Sequence, residues 1–414
     1  MLKPIKKSIK ITVFLIGLFV LFFPIKTALA FTIPQHNYPR LVNLYWKTPI
    51  TKEEARQLAR WDMVALDMGA QTDSADNIKY IRRLNPKIII LAYTSSNEIP
   101  VAQLKIKEPS GAGLWHDLEA GLKPQWQLKT YDGFNVSWWP GNISMNLYPA
   151  DDLGRTYADY LVDFYKNKVL ATGLWDGLLF DNTWQDVAWV NPDIDIDGDG
   201  QKDLASKINA LWQSSYQNFF QKLRNELGGK YLIIGNGDGA YYDYLNGRMM
   251  EGFPEFYEGG WTGSIKRYQK NNNDGYQPRA NIINSDTKNT GHYQDYRAMR
   301  YGLASALLFD GYYSFDYGTA LREQMWWYDE YDAKLGKPKS EPFNLLNKQG
   351  DLSGGVWQRD FTNGLVLVNS TAEKQKIEFD AEYEKIHGAQ DPQTNDGAKI
   401  NEVEIKPQDG IILY

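Results

Sequence analysis

The sequence predicts an α/β fold: a (β/α)₈ TIM barrel over residues 31–337, followed by a small all-β sandwich domain over residues 338–414. Three observations support this. About eight short β-rich runs alternate with amphipathic helical segments. Most of these runs end in a polar or acidic residue, and the last part of the chain has short strands joined by Asn-Gly and Asp-Gly turns. An open doubly wound sheet is the alternative. We favour the closed barrel because it brings all the polar strand ends to one face.

The first thirty residues have the order of a secretory signal peptide. A Lys-rich start precedes an apolar core from Ile11 to Phe23, and Ala28, Leu29 and Ala30 follow, which predicts cleavage after Ala30. An uncleaved anchor helix is the alternative, but the apolar core is shorter than the roughly 20 residues that a membrane span requires. We therefore expect a secreted, periplasmic or cell-surface protein, with no stable membrane insertion after cleavage.

The barrel strands and the first helix can be placed along the chain from their patterns. Leu41 to Trp46 is the first strand, and Thr51 with Glu54 forms a capping box that begins a helix. A Lys- and Pro-rich linker beyond Leu335 separates the barrel from the sandwich. The other predicted barrel strands are Met63–Gly69, Lys87–Ser95, Gly177–Asn182, Tyr231–Asp238, Arg248–Phe253, Ala280–Asp286 and Gly311–Gly318.

Composition excludes several classes of function. The chain has 414 residues and a net charge of −6 without basic clusters, so nucleic acid is not an expected partner. It has no cysteine, which excludes thiol catalysis and thiolate metal sites, and its four histidines lack metal-ligand spacing. It also lacks a Gly-x-Ser-x-Gly nucleophile motif. We expect no organic cofactor; the sequence does not indicate an oligomeric state.

Two carboxylates stand where a barrel enzyme would use them. Asp181 ends the fourth predicted strand after an apolar run, and Glu251 lies at the end of the sixth after Met249 and Met250. Two carboxyl groups suffice to break a glycosidic bond, because one protonates the leaving oxygen while the other attacks or activates water. Strand ends two positions apart on a barrel rim can flank one sugar ring. We predict Asp181 and Glu251 as the catalytic pair.

Other assignments remain open at this stage. A carboxylate at a strand end can instead cap a helix or pair with arginine, and Asp67, Asp316 and Glu255 compete for the catalytic roles. Asp176 precedes its strand and is predicted to be structural. Arg248 and Arg279 could hold carboxylates ionised.

Aromatic side chains near the strand ends favour a sugar substrate, since flat rings pack against the apolar faces of pyranoses. The alternative for each ring is a place in the core or the domain interface. The predicted substrate-binding residues are Tyr45, Asp67, Tyr93, Asn182, Trp184, Asn236, Asp286 and Asp316.

An acidic loop follows the fourth strand. Asp195, Asp197, Asp199 and Asp203, with a glycine at the sharp turn, reproduce the first part of an EF-hand loop, although Ser206 stands where the bidentate acid is expected. The loop predicts a structural Ca²⁺ site formed by these four residues, because crowded carboxylates need a cation. A solvated acidic loop is the alternative.

Several segments resemble glycoside-hydrolase-like proteins of bacteria, a family related in fold to TIM-barrel glycosidases: "DGLLFDN", "MMEGF", "ALLFDGYYSFDYG", "RDFTNGLVLVNST" and "DGIILY". The resemblance spans most of the chain after Phe31 and implies a barrel with a terminal β-sandwich and a polysaccharide-directed activity. By similarity to barrels with an Asp nucleophile on the fourth strand, Asp181 would be the nucleophile and Glu251 the acid/base. Other barrel clans place the proton donor on the fourth strand and the nucleophile on the seventh, which makes Asp286 the reserve candidate and leaves the roles open.

We therefore expect a secreted O-glycosyl hydrolase that acts through a carboxylate pair on a polysaccharide or oligosaccharide substrate. The alternative from a different class is a non-catalytic carbohydrate-binding or exopolysaccharide-assembly protein on the same scaffold. A separation of the two carboxyl groups far outside the roughly 5–9.5 Å of glycosidases would favour that alternative.

Overall fold

The computed structural model describes residues 30–105, 113–237, 239–255, 258–347 and 352–414. The predicted signal peptide, except Ala30, lies outside the described residues, as does Asp238 at the end of the fifth predicted strand. None of the helices in this described part has the length and apolarity that crossing a bilayer requires.

The eight parallel strands of the main sheet follow one another around it in chain order, as the barrel prediction requires. A bridge between Leu41 and Tyr313 joins the first strand to the last, so the sheet closes on itself. The strands are β1 (Val42–Tyr45), β2 (Met63–Asp67), β3 (Ile89–Ser95), β4 (Gly177–Asp181), β5 (Leu232–Asn236), β6 (Gly247–Met250), β7 (Ile282–Asp286) and β8 (Tyr312–Asp316).

Helices connect most of these strands. Thr51 and Glu54 form the predicted capping box at the start of the first helix, where each side chain bonds the backbone amide of the other. The α-helices are α1 (Lys52–Leu58), α2 (Ala70–Asp73), α3 (Ala75–Leu84), α4 (Val101–Leu104), α5 (Gly113–Ala120), α6 (Tyr157–Phe164), α7 (Ala205–Leu227), α8 (Gly260–Asp274) and α9 (Tyr296–Leu307). Shorter helical turns are Pro124–Trp126, Tyr165–Val169, Leu170–Thr172 and Asp329–Asp332.

The barrel interior is filled by apolar residues from all eight strands, among them Leu91, Leu179, Ile234 and Met249. Successive side chains of a strand point to opposite faces, so the residue two positions further on also faces inward. The four residues found two positions further on are Tyr93, Asp181, Asn236 and Glu251. The strand pleat therefore directs these four polar side chains to the carboxyl end of the barrel lumen.

Two long insertions, after β3 and after β4, form a wall beside the carboxyl face. Glu98–Pro100 pairs with Asn142–Ser144 inside the first insertion. Lys129–Thr130 of the first insertion pairs with Ile194–Asp195 of the second. The two insertions are therefore held together next to the end of β4.

The C-terminal part is the predicted β-sandwich. An antiparallel sheet in the order β9-β10-β11-β14 faces a two-stranded sheet of β12 and β13, and a cluster including Leu367, Ile377 and Val403 fills the space between them. The strands are β9 (Phe343–Asn344), β10 (Val356–Phe361), β11 (Gly364–Asn369), β12 (Gln375–Glu384), β13 (Lys399–Ile405) and β14 (Asp409–Leu413).

A buried arginine joins the barrel to the sandwich. Arg300 on α9 donates to both carboxylate oxygens of Asp409 on β14, at 3.0 and 3.1 Å, and to Asp391 at 2.6 Å.

Because removing one partner leaves buried charge poorly compensated, we expect Asp409→Asn to lower the free energy of unfolding by about 2 kcal/mol. Urea unfolding measures this, with Asp380→Asn at an exposed position of β12 as the matched control. Equal midpoints for Asp409→Asn and wild type would contradict the structural role of the pair.

Candidate active site

The two predicted catalytic carboxylates lie together, bridged by one amide. Nδ2 of Asn236, at the end of β5, donates to Oδ1 of Asp181 at 2.8 Å and to Oε2 of Glu251 at 2.9 Å. These two oxygens are therefore within 5.7 Å of each other, the sum of the two hydrogen-bond lengths. Retaining glycosidases place their carboxyl groups about 5–5.5 Å apart and inverting ones about 6.5–9.5 Å apart. The upper limit for this oxygen pair is compatible with the shorter range and does not favour the non-catalytic alternative.

Asp181 is held on every side by hydrogen-bond donors. The hydroxyl of Tyr93 on β3 donates to its Oδ2 at 2.5 Å, and the backbone amide of Asn182 donates to its Oδ1 at 2.9 Å. Burial and the nearby charge of Glu251 raise the pKa of Asp181, although the donors Tyr93 and Asn236 act in the opposite direction. Asp181 therefore retains its proton to a higher pH than an isolated aspartate would.

Glu251 is anchored by an arginine that sequence reasoning missed. Arg322 is 2% exposed and its guanidinium contacts the carboxylates of Glu251 and Asp316. The guanidinium also lies 4.9 Å from the ring centre of Trp46, which stacks on Tyr93 with ring centres 3.9 Å apart. One buried cation thus supports two carboxylates and an aromatic pair at the barrel mouth.

The arginines named from the sequence have other partners. Arg248 donates to Glu258 at 2.6 Å and to Glu255 at 3.5 Å, on the far side of the loop after β6. Arg279 donates to the backbone carbonyl of Gly275 at 2.9 Å. Arg248 does hold carboxylates, but not those of the pair.

The other predicted acids around the rim are buried to different degrees. Asp316 accepts from Asn284 at 2.9 Å as well as from Arg322, and burial outweighs these contacts to raise its pKa to about 7. Asp286 is more exposed; its Oδ1 accepts from the Lys288 amide at 2.6 Å, and burial raises its pKa. Asp67 accepts from Gly69 and Trp115 at 2.7 and 3.2 Å, and its pKa is raised to about 6 by burial.

Two further predicted positions are structural. Asp176 accepts from Arg82 and from the Ile90 amide, each at 2.8 Å, which fits the structural role predicted for it. Tyr45 is 1% exposed and lies in the core between strands and helices. The predicted substrate contact of Tyr45 is therefore wrong, because its side chain points away from the barrel lumen.

A buried acid missed by sequence reasoning stabilises the turn after Asp181. Asn182 has a left-handed backbone (φ 54°), and its Nδ2 donates to Oε2 of Glu98 at 2.6 Å. Nδ2 of Asn97 donates to the Asn182 carbonyl at 2.9 Å. Glu98 is 6% exposed, and burial together with the charge of Asp181 raises its pKa to about 7. Glu98 and Asn97 therefore hold Asn182 in this conformation, directly after Asp181 at the end of β4.

We expect Glu98→Gln to remove part of the pH dependence of stability. A carboxyl whose folded pKa is raised costs stability as pH rises from its unfolded pKa, near 4.5, to its folded pKa, near 7. The variant keeps an acceptor for Asn182 and should gain up to about 3 kcal/mol relative to wild type at pH 8, with little difference at pH 4.5. Chemical unfolding at both pH values measures it. A constant offset between the proteins across this range would contradict the titration of Glu98.

Trp184 lies in a cluster of tryptophans next to the pair. Its ring centre is 5.3 Å from that of Trp138 and 5.3 Å from that of Trp189, and its backbone carbonyl accepts from buried Trp212 at 3.1 Å. Trp189, which the sequence analysis did not name, is 64% exposed. The cluster offers an accessible ring surface three residues beyond Asp181.

The acidic loop brings three of its four predicted ligands together. Carboxylate oxygens of Asp195, Asp197 and Asp203 lie within 4.8 Å of one another, whereas Asp199 is exposed and outside this group. Nζ of Lys207 lies 2.5 Å from both Asp197 and Asp203. The crowded carboxylates therefore have a cation from the chain itself, so crowding alone does not require a metal ion.

The family model of hypothetical glycosyl hydrolase family 15 (GHL15) matches residues 82–365, well over half of the chain. The protein belongs to this family. The matched range contains the bridged pair and its supports Tyr93, Asn236 and Arg322. No curated protein matches the chain by sequence.

Solved structures share the fold of this family member. The isomaltulose synthase SmuA of Protaminobacter rubrum aligns over 92% of this chain and 100% of its own, with a TM-score of 0.50 and 9% identity. A GH36 α-galactosidase, AgaA of Geobacillus stearothermophilus, aligns over 92% of this chain with a TM-score of 0.47 and 11% identity. The chain spans 56% of the length of that α-galactosidase. At 9% identity the likeness to the synthase shows a common fold and nothing about the reaction.

Proposed function

We propose that this protein is a retaining glycoside hydrolase that cleaves a polysaccharide outside the cytoplasm. The observation that carries the proposal is the Asp181–Asn236–Glu251 bridge, which keeps two carboxylates within the reach of one anomeric centre. Membership of a glycosyl hydrolase family and the tryptophan cluster around Trp184, in which Trp189 is exposed, support a carbohydrate substrate.

The surroundings of the two carboxylates favour different roles. Asp181 accepts three bonds from uncharged donors, which fix it as a nucleophile facing the lumen. The side chain of Glu251 is 28% exposed, so it can exchange protons with a leaving group and with water. The hydrogen bonds from Tyr93 and Asn236 lower the pKa of Asp181 against the effect of burial, and they favour the ionised form that attacks.

The reaction then follows two steps. Glu251 donates its proton to the glycosidic oxygen while Asp181 attacks the anomeric carbon, so that the leaving sugar departs as an alcohol and a glycosyl ester forms. Glu251, now ionised, takes a proton from water, whose oxygen displaces Asp181 from the same carbon. Two displacements return the starting anomeric configuration.

A panel assay tests the proposed function. Wild-type protein is incubated with polysaccharides and with aryl glycosides of α and β configuration, and reducing sugar and released phenol are measured. We expect hydrolysis of at least one substrate with an initial product of unchanged anomeric configuration, read by proton NMR. No release from any substrate would contradict hydrolase activity, and an inverted product would contradict the retaining mechanism.

We also propose that the protein is exported. The order of charged, apolar and small residues in residues 1–30 supports a cleaved signal peptide. Mass spectrometry of protein secreted by the producing cell is expected to give an amino terminus at Phe31. A terminus at Met1 would contradict cleavage.

We also keep a structural Ca²⁺ site as a proposal. The convergence of Asp195, Asp197 and Asp203 supports it, and a bound ion would take the place of the Lys207 ammonium. We expect Ca²⁺ at about 100 times its Kd to stabilise the protein by about 2.7 kcal/mol, and Lys207→Met to bind Ca²⁺ more tightly. Thermal unfolding with Ca²⁺ or EDTA measures this, with Asp203→Asn as the ligand-deficient control. No Ca²⁺-dependent shift in either wild type or Lys207→Met would contradict the Ca²⁺ site.

A further inference from the structure

A cleft of about 570 Å³ lies between the loop after β6, the end of β7, the start of α9 and the sandwich. Gly252, which directly follows Glu251, and Asp286, which ends β7, lie at its barrel end. Ala298 on the first turn of α9 forms part of its wall, and Gln408, in the turn before β14, closes it from the sandwich. The cleft therefore lies between the barrel segment that directly follows Glu251 and the second domain.

The walls of this cleft suit a neutral, hydroxyl-rich ligand. Phe253, Pro254 and Tyr301 supply apolar surface, and Thr287 and Thr290 also line the cleft. The cationic Lys288 and Arg297 are opposed by the carboxylates Asp286 and Asp295 in the same walls. A site for phosphate or sulfate concentrates positive charge, whereas here the charges offset one another. Mixed apolar and polar walls and a volume within about 300–1,000 Å³ are typical of small-molecule sites.

We propose that this cleft binds further sugar units of a neutral glycan chain, next to the unit held by Asp181 and Glu251. The inference rests on the proposed function, since the pair defines where the chain is cut. It also makes the C-terminal sandwich part of the substrate site, because Gln408 completes the wall. The left-handed backbone of Gln408 (φ 51°) turns the chain at this point.

Filling the cleft tests the proposal without touching the pair. Ala298→Trp adds a large side chain to the wall, and Ala171→Trp adds the same side chain at an exposed position before β4, on the opposite face of the barrel. Hydrolysis of an aryl monoglycoside and of neutral oligosaccharides of two to six units is compared. We expect Ala298→Trp to keep wild-type activity on the monoglycoside and to lose about tenfold in kcat/KM on the longer substrates. Equal chain-length dependence in wild type and both variants would overturn the proposal.

A binding measurement separates this inference from the proposed function. Neutral and acidic oligosaccharides are titrated into Asp181→Asn protein, with and without Ala298→Trp, by calorimetry. We expect longer neutral oligosaccharides to bind more tightly, and we expect Ala298→Trp to abolish this gain. This result supports sugar binding in the cleft even if no substrate is hydrolysed. Binding that is unaffected by Ala298→Trp, absent for every oligosaccharide or confined to acidic chains would contradict binding of a neutral glycan in the cleft. The proposed hydrolase activity is tested separately by the panel assay.

Discussion

Asp181→Asn and Glu251→Gln are each expected to lower kcat/KM on a polysaccharide by about 10³-fold or more. Both substitutions keep the size of the side chain, so the fold should survive while the nucleophile or the proton donor is lost. Reducing-sugar release measures the effect. Asp76→Asn, at a fully solvated carboxylate with a 96% exposed side chain, is the matched control and should keep wild-type activity.

The two variants should differ on activated substrates. A phenol with a low pKa leaves without a proton, so Glu251→Gln should regain much of its rate on nitrophenyl glycosides in the first step. Asp181→Asn should not regain it, because the attacking atom is missing. Full activity of both variants on polysaccharide would contradict the site assignment, and recovery of Asp181→Asn alone would exchange the two roles.

Arg322→Met is expected to destabilise the protein by about 3–5 kcal/mol at pH 8, because the buried charge of Asp316 and the partly exposed charge of Glu251 would lose their cation. Removing the guanidinium raises the pKa of Asp316 further above its unfolded value. Stability is then lost as pH rises from about 4 through the folded pKa of Asp316, about 7 in wild type. The loss of stability relative to wild type should be small at pH 4.5 and should reach its full value at pH 8. Urea unfolding at both values measures it.

A second substitution separates stability from catalysis. Arg322→Met combined with Asp316→Asn removes one of the two uncompensated charges, so part of the stability should return. Activity should stay low, because Glu251 has still lost its anchor. Asp316→Asn alone is the control. An Arg322→Met protein as stable as wild type at pH 8 would contradict the assigned network.

The strand pleat explains why the sequence predicted the barrel and the joint position of Asp181 and Glu251 at its carboxyl face. Successive side chains of a strand point to opposite faces of the sheet. Asp181 and Glu251 therefore face the barrel interior, as Leu179 and Met249 do two positions earlier. The error at Tyr45 has the same origin. A shift of one residue along a strand reverses the face, and the side chain that joins the site is that of Trp46.

The supporting residues could not be predicted, since they lie outside the regular strands. Arg322 lies in the loop, six residues after Asp316. No regular strand or helix pattern there predicts where its side chain points. Glu98 and Trp189 belong to the two insertions, whose pairing depends on contacts between distant segments of chain. Lys207 lies on α7, outside the acidic motif that it neutralises.

Covalent trapping tests the central claim most directly. Once the panel has identified the sugar, its 2-deoxy-2-fluoro glycoside with a good leaving group should inactivate the protein by slowing hydrolysis of the glycosyl ester. Peptide mass spectrometry is predicted to find the fluorosugar on Asp181, with no label in Asp181→Asn. A label on Glu251, on Asp286 or on any other residue would contradict the account.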